Sequence, residues 1–171
     1  MPTIFTHPAV ALTRSWFGAS VPRRAVIAAI LGSILPDIDV AAFAFGIPYA
    51  SPYGHRGITH SLLFALLYAL VASLTLRTPR AFAFIFLCTV SHTLLDALTD
   101  GGLGVALLAP FSNERFFFPW RPIRVSPIGT RFFSARGIPT IVSEWVWVWM
   151  PCGALGLVGK YVFQRQTKAR Q

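Results

Sequence analysis

At 171 residues the chain has the length of one domain, and residues 1–171 are expected to form a single unit. Hydrophobic residues make up 54% of it and charged residues 12%, with a mean hydropathy of +0.60. That composition argues against a soluble domain of this size, which needs a large polar surface. The formal charge of +9 argues against nucleic acid as the partner: lysines and arginines collect in connecting segments and the C-terminal tail, and no basic surface is interleaved with aromatics.

In chain order, residues 3–18 suit a short helix ending at Gly18 and a turn before Pro22. Met1 to Gly18 lacks a basic leader region and contains His7 and Arg14, so no separate signal peptide is expected. A second apolar run, Ala25 to Leu35, stops at Pro36 and LPDID. Residues 40–54 are apolar but broken by Gly46, Pro48, Pro52 and Gly54, which predicts a loop or broken helix. Thr59 is placed to cap a helix over His60–Leu76, and RTPR (Arg77 to Arg80) is a tight turn. The next helix is expected from Ala81 to about Thr99. Residues 103–137, with five arginines, four prolines and the FFFPW run, read as a long irregular excursion. A last helix covers about 138–163. The uncharged blocks Ser61–Leu76 and Trp145–Gly159, and the apolar Ala81–Val90, are membrane helices once extended toward the roughly 20 residues a span needs. The fold class is all-α: a polytopic membrane bundle of four to five helices. Cys88 and Cys152 lie inside apolar blocks and read as packing residues.

The helices serve as rulers. If Gly18–Pro22 and RTPR are turns at one membrane face, His7 and Asp37 lie about 15–25 Å from that face at ~1.5 Å per residue. His60, His92, Asp96 and Glu144 reach the same end of the bundle. The other end collects Arg23, Arg24, Arg77, Arg80, Lys160, Arg165, Lys168 and Arg170, so the positive-inside rule makes it cytoplasmic and puts the polar end toward the outer face. Arg115, Arg121, Arg124, Arg131 and Arg136 run against that assignment.

Of the six acidic residues and four histidines, eight fall in four patches: THP, LPDID, HRGITH and SHTLLDALTD. Ionisable groups within membrane segments cost several kcal/mol unless paired, which makes these functional candidates. Carboxylates alone would repel one another, and a divalent cation among neutral imidazoles supplies the missing charge. His92 and Asp96, four apart, share a helical face that Asp100 is expected to continue. In HRGITHS, glycines 54 and 57 let a loop turn His55 over the next helix N-terminus, where Arg56 can hold an anion such as phosphate. Asp37 and Asp39 at the end of a short helix oppose its dipole unless a cation is near. Asp37 is the preferred ligand, with Asp39 a second ligand or a group orienting a histidine. Glu144 reads as a ligand or general base, Glu114 as a solvated loop charge. No nucleophile elbow, glycine-rich phosphate loop or CxxC pair is present, so metal-activated water is the expected nucleophile. A general base is sought among Asp39, Asp100 and Glu144.

Together, the TH near the start, LPDID, HRGITHS and SHTLLDALTDGG resemble the YdjM-type family of bacterial membrane-bound metal-dependent hydrolases over about residues 1–150. That family is similar to the zinc-dependent phospholipase C and single-strand nuclease superfamily, an all-α fold with a multi-zinc site. The resemblance implies an inner-membrane location and a divalent metal, zinc by analogy, held by His7, Asp37, His55, His60, His92 and Asp96, with Glu144 a further ligand. The chain has no histidine after His92, so one or two ions are expected rather than three. The expected substrate is a phosphoester of a lipid or lipid-linked molecule, and the FFFPW segment suits the headgroup interface. A metal or ion transporter, and a membrane protein with a purely structural metal, are the competing readings.

Overall fold

In a computed structural model of the chain, residues 1–17, 21–127, 132–135 and 137–168 are described, without the side chains of 167 and 168. Gly18, Arg131, Arg136 and Arg170, and the side chain of Lys168, lie outside this set. Regular structure among the described residues is helical. Helices are α1 (Arg23–Gly32), α2 (Leu62–Ser73), α3 (Pro79–Ala97), α4 (Gly137–Glu144) and α5 (Met150–Lys168). A π-turn, Trp145–Trp149, joins α4 to α5, and tighter 3-10 segments cover His7–Phe17, Leu35–Phe45 and Ile58–His60. Three stretches are long and apolar enough to cross a membrane: Arg23–Phe45, Pro79–Ala97 and Gly137–Gln166. Helix α2 is apolar but shorter. The chain is thus an all-α membrane protein.

Local chemistry moves two boundaries away from expectation. Pro36 is the second residue of the Leu35–Phe45 segment, so Asp37 lies in its first turn. Unpaired N–H groups favour a carboxylate there, and the dipole conflict expected at LPDID does not arise. The cap of α2 is Ser61, whose Oγ accepts the Phe64 N–H at 3.1 Å. Thr59 instead donates to Asp39 Oδ2 at 2.6 Å.

Small side chains set the packing. Ala25 and Ala29 of α1, Ala69 of α2, and Ala81 and Cys88 of α3 meet in one buried cluster with Phe84 and Ile85. Such residues let helices approach closely where lipid offers no hydrophobic drive to associate. At Gly32, a Cβ would sit 2.3 Å from the Tyr68 ring and 2.4 Å from Thr89 Oγ1, so only glycine fits. Residues 98–127 fold back over the end of α3. Phe118 N–H donates to Ala97 O at 3.0 Å, Asp100 N–H donates to Ile123 O at 3.0 Å, and buried Val105 and Ile123 anchor the return.

Candidate metal centre

His7, Asp37, His60, His92 and Asp96 converge in one buried cluster drawn from four parts of the chain. His7 opens the first 3-10 segment, Asp37 follows Pro36, His60 ends a short turn before α2, and His92 and Asp96 share a face of α3. All three imidazoles direct Nε2 at the carboxylates. His7 Nε2 lies 3.7 Å from Asp37 Oδ2 and 3.8 Å from Asp96 Oδ1. His60 Nε2 is 3.6 Å from Asp37 Oδ1 and 3.3 Å from Asp96 Oδ2, and His92 Nε2 is 3.5 Å from Asp37 Oδ1. The His7 and His92 rings stack with centroids 3.7 Å apart.

Hydrogen bonding within this cluster is incomplete. Both oxygens of Asp37, Oδ1 of Asp96 and both ring nitrogens of His7 are buried without a hydrogen-bond partner among the described residues. Buried charged oxygens are rarely left so, because each forgoes water without replacement. His92 Nδ1 faces the Ser33 carbonyl at 2.8 Å, which assigns its proton there and leaves Nε2 as a lone pair. That lone pair stands 3.0 Å from His60 Nε2, so the two nitrogens can share one proton or one cation between them. Burial, reinforced by His92, depresses the His7 imidazole to about 3, which keeps it neutral. Burial also acts to lower His60, but Asp37, Asp39 and Asp96 raise it to about 10. The pocket demands positive charge, and its donors are those a divalent transition metal takes. Asp37, His60, His92 and Asp96 bring one ligand atom each within 4.8 Å of one another, and this group can hold a metal ion.

A second group within the same distance, Asp39, His55, His60 and Asp37, has a different character. Asp39 accepts from four donors: His55 Nδ1 at 2.7 Å, Arg56 N–H at 3.1 Å, Thr59 Oγ1 at 2.6 Å and His60 Nδ1 at 3.1 Å. Its charge is already spent. The Asp39–His60 contact fixes which nitrogen His60 turns inward, as carboxylates behind metal-bound histidines do. Arg56 is fully buried, with Nε 3.0 Å from Asp96 Oδ2, Nη1 donating to Gly101 O at 3.0 Å and Nη2 to Thr99 Oγ1 at 2.8 Å. It holds Asp96 rather than standing free for an anion.

Glu144 lies outside both groups. Its buried carboxylate accepts the Thr3 N–H, Thr3 Oγ1 at 2.7 Å and Thr6 Oγ1 at 2.7 Å, next to His7. Trp149 Nε1 donates to the same Thr6 hydroxyl at 3.0 Å. On an α-helix residues five apart point roughly 140° from each other. The π-turn Trp145–Trp149 closes that angle, so Glu144 and Trp149 grip Thr6 together.

Residues 1–167 match the family model described as YdjM inner membrane protein. Over 160 residues the chain is 42% identical to inner membrane protein YbcI of Escherichia coli K12, covering 88% of this chain and 92% of YbcI. The chain belongs to the YdjM family. To inner membrane protein YdjM of the same organism it is 36% identical over 143 residues, 74% of this chain and 66% of that protein. Protein YvsG of Bacillus subtilis is 31% identical over 80 residues, 43% of this chain and half of YvsG. No solved structure matches. With its three candidate spans, this YdjM-family chain is an inner-membrane protein.

Two features of this family member escaped the sequence reading. Asp100 does not continue the His92–Asp96 face, because α3 ends at Ala97. It pairs instead with Arg124 Nη1 at 2.8 Å and accepts the Val125 N–H at 2.8 Å, away from the cluster. Burial works to raise its carboxyl, but these two partners hold it below the ordinary range. Arg115, one of the arginines that run against the charge assignment, is a clamp. Nη1 donates to the carbonyls of His55 and Arg56 at 3.0 Å, and Nη2 to those of Tyr49 and Ser51 at 3.1 Å. Gly57 allows this loop its tightness, since a Cβ there would meet Pro52 O at 2.1 Å. The signal was present in the sequence: arginines at the end where the charge rule wants few have structural work to do. Arg121 likewise stacks over Phe117 at 4.9 Å.

Proposed function

We propose that this chain is a membrane-embedded, metal-dependent hydrolase that cleaves a phosphoester of a lipid or lipid-linked molecule. One divalent ion, zinc by its donor set, is held by His7, Asp37, His60, His92 and Asp96. The observation that carries this reading is the set of carboxylate oxygens without a hydrogen-bond partner, both of Asp37 and Oδ1 of Asp96, buried opposite three imidazole Nε2 atoms. When bound, such an ion lowers the pKa of water to about 7 and polarises a phosphoryl oxygen. The protein's own groups orient and shield. Asp39 and the Ser33 carbonyl turn His60 and His92 inward, Arg56 steadies Asp96, and Glu144 ties down the segment carrying His7. His55 supports Asp39 from behind rather than joining the ligand set. Of the three carboxylates expected as general base, Asp39 and Glu144 are saturated with donors and Asp100 is paired with Arg124, so each serves to position its neighbours in this reading.

Complete burial of His7, His60, His92 and Asp96 favours a second reading, a closed structural metal site with no reaction. The transport reading wants ionisable groups spread through the depth of the bundle, and the buried ones described here gather at one end. Metal analysis of purified protein, paired with hydrolysis of bis(p-nitrophenyl) phosphate before and after chelation, separates these. The hydrolase reading expects bound metal, its loss in His92→Ala, and activity that follows the metal. Full activity in metal-free protein would overturn it, and metal without activity on any phosphoester would leave the structural reading.

A further inference from the structure

Resting on the hydrolase reading, we infer that the groove beside Asp37 binds the single alkyl chain of a phosphate-bearing amphiphile, with its head against the cluster. The groove encloses about 350 Å³, near the lower end of the roughly 300–1,000 Å³ of ligand sites, which suits one chain and not two. Its walls are apolar: Ile4 and Phe5 from the N-terminal segment, Val40 behind Asp37, and Pro127, Phe132 and Phe133 opposite. Asp37 is the one acidic or basic side chain among the described residues that line it, and it is also a member of the cation cluster. An apolar trough that ends on a cation ligand fits an amphiphile whose polar head follows directly on its tail.

The surroundings favour lipid as the source. Phe5 and Phe133 are 69% and 85% exposed at the groove and Ile38 beside Asp37 is 65% exposed, in a chain whose apolar surface meets acyl tails. The larger cavity, about 780 Å³, lies between the His7–Phe17 segment and α5 near Arg14 and Lys160 and contains none of the cluster residues.

Native mass spectrometry of the detergent-purified full chain reads metal and lipid in one spectrum. The probes are palmitoyl lysophosphatidate, palmitoyl glycerol with the same chain and no phosphate, and glycerol phosphate with no chain. The groove predicts retention of lysophosphatidate above both partial probes, and a roughly tenfold or greater loss in Val40→Trp, which fills the space the methylenes would occupy, with the metal mass unchanged. Lysophosphatidate retained equally by Val40→Trp with metal bound overturns the groove assignment. If Val40→Trp also strips the metal, the comparison passes to Ile4→Trp on the other wall, with the same two outcomes. A wild-type protein with no metal mass but a lipid adduct sensitive to these substitutions overturns the hydrolase reading and leaves the groove standing.

Discussion

An 18-residue stretch of helix α3 and one of the span Gly137–Gln166 have nearly equal mean hydropathy, 1.3 and 1.4, yet 61% of the first stretch is buried within the protein and 11% of the second. Hydropathy measures the preference for leaving water and says nothing about which neighbour replaces it. The difference comes from side-chain size and polarity. On α3, Ala81, Cys88, Thr89 and Thr93 admit other helices closely, and His92 and Asp96 must avoid lipid altogether. On the last span Val142, Trp145, Val146, Trp147 and Leu157 are exposed, with acyl chains as their natural contact. One span is the protein's interior and the other its lipid-facing wall, tied to the centre through Glu144 and Trp149.

The contrast is most readily broken by substitutions on α3. His92→Ala or Asp96→Ala is expected to abolish metal binding, whereas Trp147→Ala, on the lipid face, leaves metal content unchanged; equal metal in all three proteins would sink the centre as drawn. Arg56→Ala leaves Asp96 without its buried cation and is expected to cost about 3–5 kcal/mol. Thermal unfolding in detergent checks this, and a wild-type midpoint would show that Asp96 does not depend on Arg56. Glu144→Gln tests whether the outer span reaches the centre at all. Its loosened grip on Thr3 and Thr6 is expected to weaken metal affinity about 10–100-fold, read by competition with a chelating dye. An unchanged affinity would make the Glu144 network purely a fastening. Gly32→Ala, which pushes a methyl into Tyr68 and Thr89, should lower stability by about 1–3 kcal/mol, and an unaltered melt would refute the close approach of α1 to α3. The smallest effect belongs to Asp100→Asn. An exposed pair with Arg124 is worth about 0–1 kcal/mol, and metal content should not move. Metal loss in that variant would return Asp100 to the site.

The gathering of His7, Asp37, His60, His92 and Asp96 at one end of the bundle was legible from residue counts along helices of known rise. Apolar length and two turns constrain where a polar side chain lies along the membrane normal, so depth can be read in one dimension. Family membership was legible too, because HRGITHS and HTLLDALTD are short, contiguous patterns. What each residue does on arrival was not. Asp39 and Asp37, two positions apart, look alike in the sequence, yet one is saturated by four donors and the other faces the cluster with both oxygens unpaired. Arg115 became a carbonyl clamp and Asp100 left its expected face because α3 stops at Ala97 and the following segment folds back on it. The π-turn that aligns Glu144 with Trp149 leaves no periodic trace in five alternating tryptophans and valines. Composition and spacing thus determined membrane residence, helix order and the depth of the polar residues, since each follows from solvent preference and a fixed rise per residue. The direction of each polar atom, and which helix lies inside, depend on contacts between segments distant in sequence, and only the tertiary structure decided them.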